Sequence, residues 1–264
     1  MIDEFSGPYS FLSNFYLRVK MLRPFFPFYG SKWRTASLYG DPRGSTVVEP
    51  FAGSAGFSVF WECDDVWLFD IDPVIVGVWD YLIKATKFDF ANLPLLSPGQ
   101  SITDFNISQE AKWLIGFWLN RGSSTPKLTL TEFSARSDKG QMVWGQKAKN
   151  RLMEQAGRIK TWRVSQSSYV NIDSCQFGQS CYWFVDPPYV EKGRYYKHRI
   201  AACDYSGLAD WCKHLPGYGC VCENTGAGWL PFENLSNAKS MRGRSLESVY
   251  WIGYNPCSST NSND

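Results

Sequence analysis

The residues with the most chemistry in them are Asp186-Pro187-Pro188-Tyr189. They follow the apolar run 181–185, which predicts a buried strand, so they stand where α/β proteins bind ligands, at a strand's carboxyl end. Two adjacent prolines stiffen the turn. The Pro187 carbonyl has no necessary structural donor, and the Asp186 carboxylate adds a second acceptor beside it. Two acceptors facing an exocyclic amino group can hold both its N–H bonds and favour lone-pair character on the nitrogen. Tyr189 adds a flat ring on which a base can stack.

A second constellation lies earlier in the chain. Residues 45–50 read as a strand, followed by the small-residue turn Phe51-Ala52-Gly53-Ser54-Ala55-Gly56, a helical start through Phe57, Val59, Phe60 and Trp61, and a strand over 66–70 that ends in Asp70. Such a turn lets backbone N–H groups approach a ligand, and an acid ending the next strand can accept hydrogen bonds from two ribose hydroxyls. The order points to a nucleoside cofactor. It does not choose between NAD, FAD and S-adenosylmethionine. The turn is not Gly-x-Gly-x-x-Gly, and the absence of Gly-x-x-x-x-Gly-Lys-Ser/Thr argues against a nucleotide triphosphatase.

These groups need a scaffold, and the periodicities supply one. Residues 24–34 predict a shaped loop entering a short helix, and 73–85 a helix packed through Val74, Val78, Tyr81 and Leu82. Asn106 is the expected cap of a helix with Ile107, Ala111, Leu114, Ile115 and Trp118 on its apolar face. No clear period covers 122–144, though 127–131 and 142–144 alternate. Next come a basic helix over 146–158, a strand over 159–164, and a helix capped by Ser206 that buries Leu208, Trp211, Cys212 and Leu215. Strands over 219–222 and 246–252 close the pattern, the final pair allowing an antiparallel edge. The alternation predicts a mainly parallel sheet with helices on both faces.

At 264 residues, with 44% hydrophobic and 20% charged residues, the chain reads as one globular unit. A net charge of +2 gives no bulk attraction for nucleic acid, so any such role rests on local groups. Three are visible: Lys147, Lys149, Arg151, Arg158, Lys160 and Arg163; then Lys192, Arg194, Lys197 and Arg199; then Arg242 and Arg244. Each reads as solvated surface unless they converge into a phosphate-contacting rim. The acidic start, the lack of a membrane-length apolar run and eight scattered cysteines predict an intracellular, reducing location, with no membrane partner. Cys220 and Cys222, like His198 and His214, lack metal-ligand spacing, so no metal is expected.

Taken together, these motifs resemble the Dam-like family of DNA N6-adenine methyltransferases, in which the cofactor segment comes first, target recognition follows and Asp-Pro-Pro-Tyr comes last. Phe28-Tyr29-Gly30-Ser31-Lys32 is similar to the family's N-terminal cofactor segment, Glu49-Pro50-Phe51-Ala52-Gly53-Ser54-Ala55-Gly56 to its main cofactor loop, and Asp70-Ile71-Asp72 to its acidic segment. Phe117-Trp118-Leu119-Asn120-Arg121 resembles the helix leading into target recognition. The resemblance spans about residues 24–254.

It implies a Rossmann-like S-adenosylmethionine-dependent methyltransferase fold of α/β class, with a small target-recognition insertion. The implied boundaries are 1–105 for the N-terminal and cofactor part, 106–158 for the insertion, 159–257 for the catalytic part and 258–264 for a flexible tail. It assigns Phe28 and Lys32 to the cofactor-side pocket, Phe51 and Gly53 to the loop around S-adenosyl-L-methionine, and Asp70 to its ribose. Asp186, Pro187 and Tyr189 would bind a flipped adenine of double-stranded DNA, with Pro188 as geometric support. A monomer in the cytoplasm or on the nucleoid suits this reading. An RNA adenine methyltransferase and an inactive DNA-binding module are the alternatives.

Overall fold

The computed structural model describes residues 21–42, 44–119, 122–135, 143–191, 196–198, 200–201, 204–235, 239–240, 243–244 and 247–253. The strands are β1 (Thr46–Glu49), β2 (Val66–Asp70), β3 (Arg163–Gln166), β4 (Cys181–Val185), β5 (Tyr218–Asn224), β6 (Glu233–Asn234), β7 (Lys239–Ser240), β8 (Gly243–Arg244) and β9 (Glu247–Ile252). Seven of them form one sheet in the order β3-β2-β1-β4-β5-β9-β6, while β7 and β8 pair with each other. Neighbours from β3 to β5 run parallel; β9 runs antiparallel to both β5 and β6. The architecture is a mixed, mostly parallel, Rossmann-like α/β sheet between helices.

The central strand shows why. β4 is Cys-Tyr-Trp-Phe-Val, a β-favouring run buried at every position. Alternation sends Tyr182 and Phe184 to one face and Cys181, Trp183 and Val185 to the other, so both faces need cover. On the first face, α1 (Gly56–Trp61) stacks Phe57 on Phe184 at 4.1 Å between ring centroids. The same core takes α2 (Pro73–Lys84), α4 (Gln109–Leu119) and α6 (Gln146–Gln155), with the short α3 (Lys87–Ala91) against α6. On the second face, α7 (Tyr205–Lys213) buries Tyr205, Leu208, Ala209 and Cys212. Between α4 and α6 lies the one-turn α5 (Glu132–Ala135).

Local chemistry sets the helix ends. Asp72 caps α2, its carboxylate accepting the Val74 N–H at 3.0 Å, and Pro73 fills the first turn, where its missing N–H costs nothing. Other expected ends are revised. α4 starts at Gln109, and the Ala111 N–H finds Ser108 Oγ at 3.2 Å, so Ser108 does the work expected of Asn106. Ser206 lies inside the first turn of α7, with Asp204 at the cap position. The basic helix stops at Gln155 and tightens into a 3-10 turn over Ala156–Ile159, so β3 begins at Arg163 rather than at Ile159. Of the alternating candidates, 127–131 contributes one antiparallel bridge, Thr129 with Ser101; Met142 lies outside the described residues. The antiparallel strand is not at the edge, because β6 pairs outside it.

The first basic group is largely absorbed by the fold. Lys149 donates to the Ala91 and Leu93 carbonyls at 2.8 and 2.6 Å, closing the end of α3. Lys160 does the same for α2 at Ile83 and Ala85, at 2.6 and 2.5 Å. Cations at helix carboxyl ends satisfy orphan carbonyls and oppose the helix dipole. Arg158 pairs with Glu62 at 2.9 Å, Arg163 with Asp65 at 2.5 Å, and Arg151 lies over Trp118. Lys192, Arg194, Arg199 and Arg242, the side chain of Arg244, and the tail 258–264 lie outside the described residues. Among the described residues, no helix is long and apolar enough to cross a membrane.

Candidate active site

The chain leaves β1 towards β2 and β3, then returns to β4 on the other side of β1. The connections at the carboxyl ends of β1 and β4 therefore part and leave a crevice, the usual ligand position in such sheets. A cavity of about 530 Å³ fills it, bounded by the 28–32 loop, the 49–54 turn, Asp70 to Asp72, the 167–170 segment, Asp186 and Pro188. That volume suits a nucleoside-sized ligand.

On the turn side, Gly53 has φ of +45°, and a Cβ there would stand 3.0 Å from the Phe28 ring. Glycine meets both demands. Ala55 holds the same left-handed φ of 45° without being glycine, a strain of about 1 kcal/mol. Gly56 has no room for a side chain, since a Cβ would lie 2.6 Å from the Trp33 nitrogen. The turn is thus pressed against the N-terminal loop. Asp70 ties it down, one oxygen accepting the Gly53 N–H at 3.0 Å and the other the Asp72 N–H at 2.9 Å. Burial raises the Asp70 carboxyl to about 6, although those two N–H bonds and His198 pull it down. Phe28 packs edge-on against Phe117, and Phe51 tilts against Tyr169 at 5.7 Å; both line the cavity.

Glu49 closes the cavity floor at the end of β1. It accepts both the N–H and the hydroxyl of Ser58, at 3.0 and 2.6 Å, from the first turn of α1. Burial lifts its carboxyl to about 8 against the pull of those bonds, so near neutrality the protonated form is well populated.

On the opposite wall, Lys32 Nζ meets both oxygens of Asp186, at 2.7 and 2.9 Å, and the Gly30 carbonyl at 3.2 Å. The resemblance places Lys32 beside the cofactor; here its ammonium is on the acid of the tetrapeptide. Burial opposes the Lys32 charge, but Asp186 and Glu247 outweigh it and raise its pKa, keeping it protonated. Burial raises the Asp186 carboxyl, with Lys32 opposing the rise. The same ammonium stands 4.7 Å above the centre of the Tyr189 ring, a cation–π contact. Tyr189 is buried, and its hydroxyl donates to Glu247 at 2.6 Å; Tyr39 donates to the same carboxylate oxygen at 3.1 Å. Pro187 is buried, whereas Pro188 reaches the cavity and its carbonyl accepts the Tyr205 hydroxyl at 2.6 Å.

No protein-family model matches the chain, and no curated protein sequence does.

The arrangement nevertheless brings all the singled-out residues to one end of the sheet. Phe28, Lys32, Phe51, Gly53, Asp70, Asp186 and Pro188 line the cavity; Pro187 and Tyr189 are buried behind it and do not line it, the Tyr189 ring being covered by the Lys32 ammonium. Asp72 adds a further acid and is met by Lys197 at 3.3 Å. Sequence reasoning did not single out Glu49 alone, Glu247, Tyr39 or Tyr205. Glu49 had a signal, an acid ending a strand just before the turn. Glu247 and Tyr39 had none, because 208 residues separate two groups that meet only in the folded state.

Proposed function

We propose that this chain transfers the methyl group of S-adenosylmethionine to the N6 amino group of adenine in DNA, using a methyltransferase version of the Rossmann-like fold. One observation carries the reading: a single cavity runs from the Gly53–Asp70 turn to Asp186. A nucleoside donor at the turn and an amino acceptor at Asp186 would share it.

The residues fit that donor. After taking two backbone N–H groups, the Asp70 oxygens keep lone pairs for ribose hydroxyls. Ile71, beside it, is half exposed on the cavity and offers an apolar face to a base. Asp70, Asp72 and Asp186 put three carboxyl groups on the space against the ammonium groups of Lys32 and Lys197, so the Asp70 side is where a cationic sulfonium is best accommodated. When bound, S-adenosylmethionine supplies an electrophilic methyl group.

The protein's own groups do the rest by positioning and electrostatics. Asp186 accepts an N–H of the amino group, offsets the positive charge growing on its nitrogen as the carbon–nitrogen bond forms and the methyl–sulfur bond breaks, and is placed to take the proton that this nitrogen must then lose. Lys32 favours the ionised form of that carboxyl against burial and orients it, and an arriving amino group shares the carboxylate with it or displaces the ammonium from one oxygen. Tyr205 and Glu247 pin the tetrapeptide through Pro188 and Tyr189. Adenine inside a duplex cannot reach Asp186, so the base must be flipped out.

The test is methyl transfer from labelled S-adenosylmethionine to random-sequence duplex DNA, read by nucleoside analysis. N6-methyladenine is the expected product, and Asp186→Ala should cut turnover at least about a hundredfold while the protein stays folded. Undiminished activity removes Asp186 from the mechanism. Label in RNA but not in duplex DNA, or no label and no S-adenosylmethionine binding, overturns the assignment itself.

A further inference from the structure

The last residue of β5, Asn224, is only 6% exposed, yet among the described residues neither its Oδ1 nor its Nδ2 has a hydrogen-bond partner. Its backbone is not the cause, since its N–H donates to Glu223 Oε1 at 2.8 Å and its carbonyl accepts from Ala227. Burying both ends of an amide unsatisfied is costly, and native proteins retain such groups where something else completes them.

The strand register says where this amide stands. Val185 pairs with Val221, so Asp186 is level with Cys222, and Asn224 lies two residues further out on neighbouring β5. Alternation puts Asn224 on the face of Cys222 and Cys220, the face that carries Tyr182 and Tyr189. Across the antiparallel pair Asn224 faces Glu247, whose carboxylate holds the Tyr189 hydroxyl. The orphan amide therefore flanks the tetrapeptide on its β5 side, away from the Gly53–Asp70 turn. An amide donates from one end and accepts at the other, the pattern with which Asn pairs to adenine.

We propose that Asn224 reads the ring edge of the acceptor base: Nδ2 donates to an unprotonated ring nitrogen, and Oδ1 takes an N–H or O–H of the same nucleotide. The inference rests on the methyl-transfer reading and deepens it, making Asn224 a specificity residue for amino-bearing purines whose ring nitrogens are bare. Asp186 then handles the amino group and Asn224 the ring.

Asn224→Leu has nearly the same shape and no polar atoms, and Asn224→Asp keeps an acceptor but loses the donor. Wild type and both variants are assayed for methyl transfer on duplexes containing adenine or its 1-, 3- or 7-deaza analogue, and for unfolding in urea. The expected result is a loss of kcat/KM of about tenfold or more in both variants on adenine, with Asn224→Leu at least as stable as wild type. One deaza analogue should lower wild-type kcat/KM by a similar factor and leave Asn224→Leu no worse than it already is. Undiminished activity of Asn224→Leu overturns the inference, as expected for an amide satisfied by buried water. A fully additive loss of ring nitrogen and amide also overturns it. A wild-type protein that methylates no substrate, by contrast, overturns the methyl-transfer reading itself.

Discussion

Glu49→Gln isolates the most unusual charge in the cavity. The side chain is 2% exposed and anchored by two hydrogen bonds from Ser58, which a Gln Oε1 can also accept. Burial takes the carboxyl from its ordinary 4.5 to about 8. The folded protein thus keeps a proton that the unfolded chain gives up, and stability must fall as pH climbs from 4.5 towards 8. At about 1.4 kcal/mol per pH unit across that window, the loss between pH 5 and pH 8 is of the order of a few kcal/mol. Urea denaturation of both proteins at several pH values measures it. The wild type should lose on the order of a few kcal/mol relative to Glu49→Gln across the window, with matching m-values. The same proton reports on the ligand: a bound cation favours ionised Glu49, so S-adenosylmethionine affinity should rise with pH towards 8 in the wild type, whereas the variant should keep only the rise that Asp70 gives around pH 6. Parallel stability curves would falsify the claim that Glu49 carries a proton in the folded protein.

Two further perturbations probe the walls. Gly53→Ala must place a methyl group 3.0 Å from the Phe28 ring at φ of +45°; a destabilisation of about 1–2 kcal/mol and an S-adenosylmethionine affinity reduced at least about fivefold by calorimetry are expected, and unchanged affinity removes the turn from the cofactor site. Lys32→Met and Asp186→Asn each break a buried pair and should each cost about 3–5 kcal/mol, whereas the double substitution should recover about 2 kcal/mol or more of their sum, as read by a denaturation cycle; strictly additive losses would show that the pair is not coupled.

Much of the scaffold was legible because burial leaves a periodic trace. Val47, Val48 and the whole of β4 announce strands covered on both faces, and Asp72-Pro73 announces a helix start. Boundaries were less legible where two signals compete. Ile159 looks like the start of a strand, but it is buried in a 3-10 turn, and the strand starts at an exposed Arg163. Strand direction left no trace, because an interior antiparallel β9 is as apolar as a parallel one would be. Lys149 and Lys160 read as surface charge, since composition cannot show that a helix end waits within reach of each ammonium. In the candidate site the tetrapeptide and the turn were readable as local motifs. Their partners were not: Lys32 reaches Asp186 across 154 residues, and Asn224 is conspicuous only once its surroundings are known.

The reversed strand β9 also has a consequence for the order in which the molecule assembles. β6 is made before β9, yet its pairing within the sheet is to β9, so it must wait in the emerging chain for a partner that follows it. Until then β5 presents an open edge of backbone donors and acceptors, the kind of surface to which other chains adhere. The arrival of β9 closes that edge and delivers Glu247 to Tyr189 in the same event. Protection from aggregation and completion of the tetrapeptide's support thus become one late folding step.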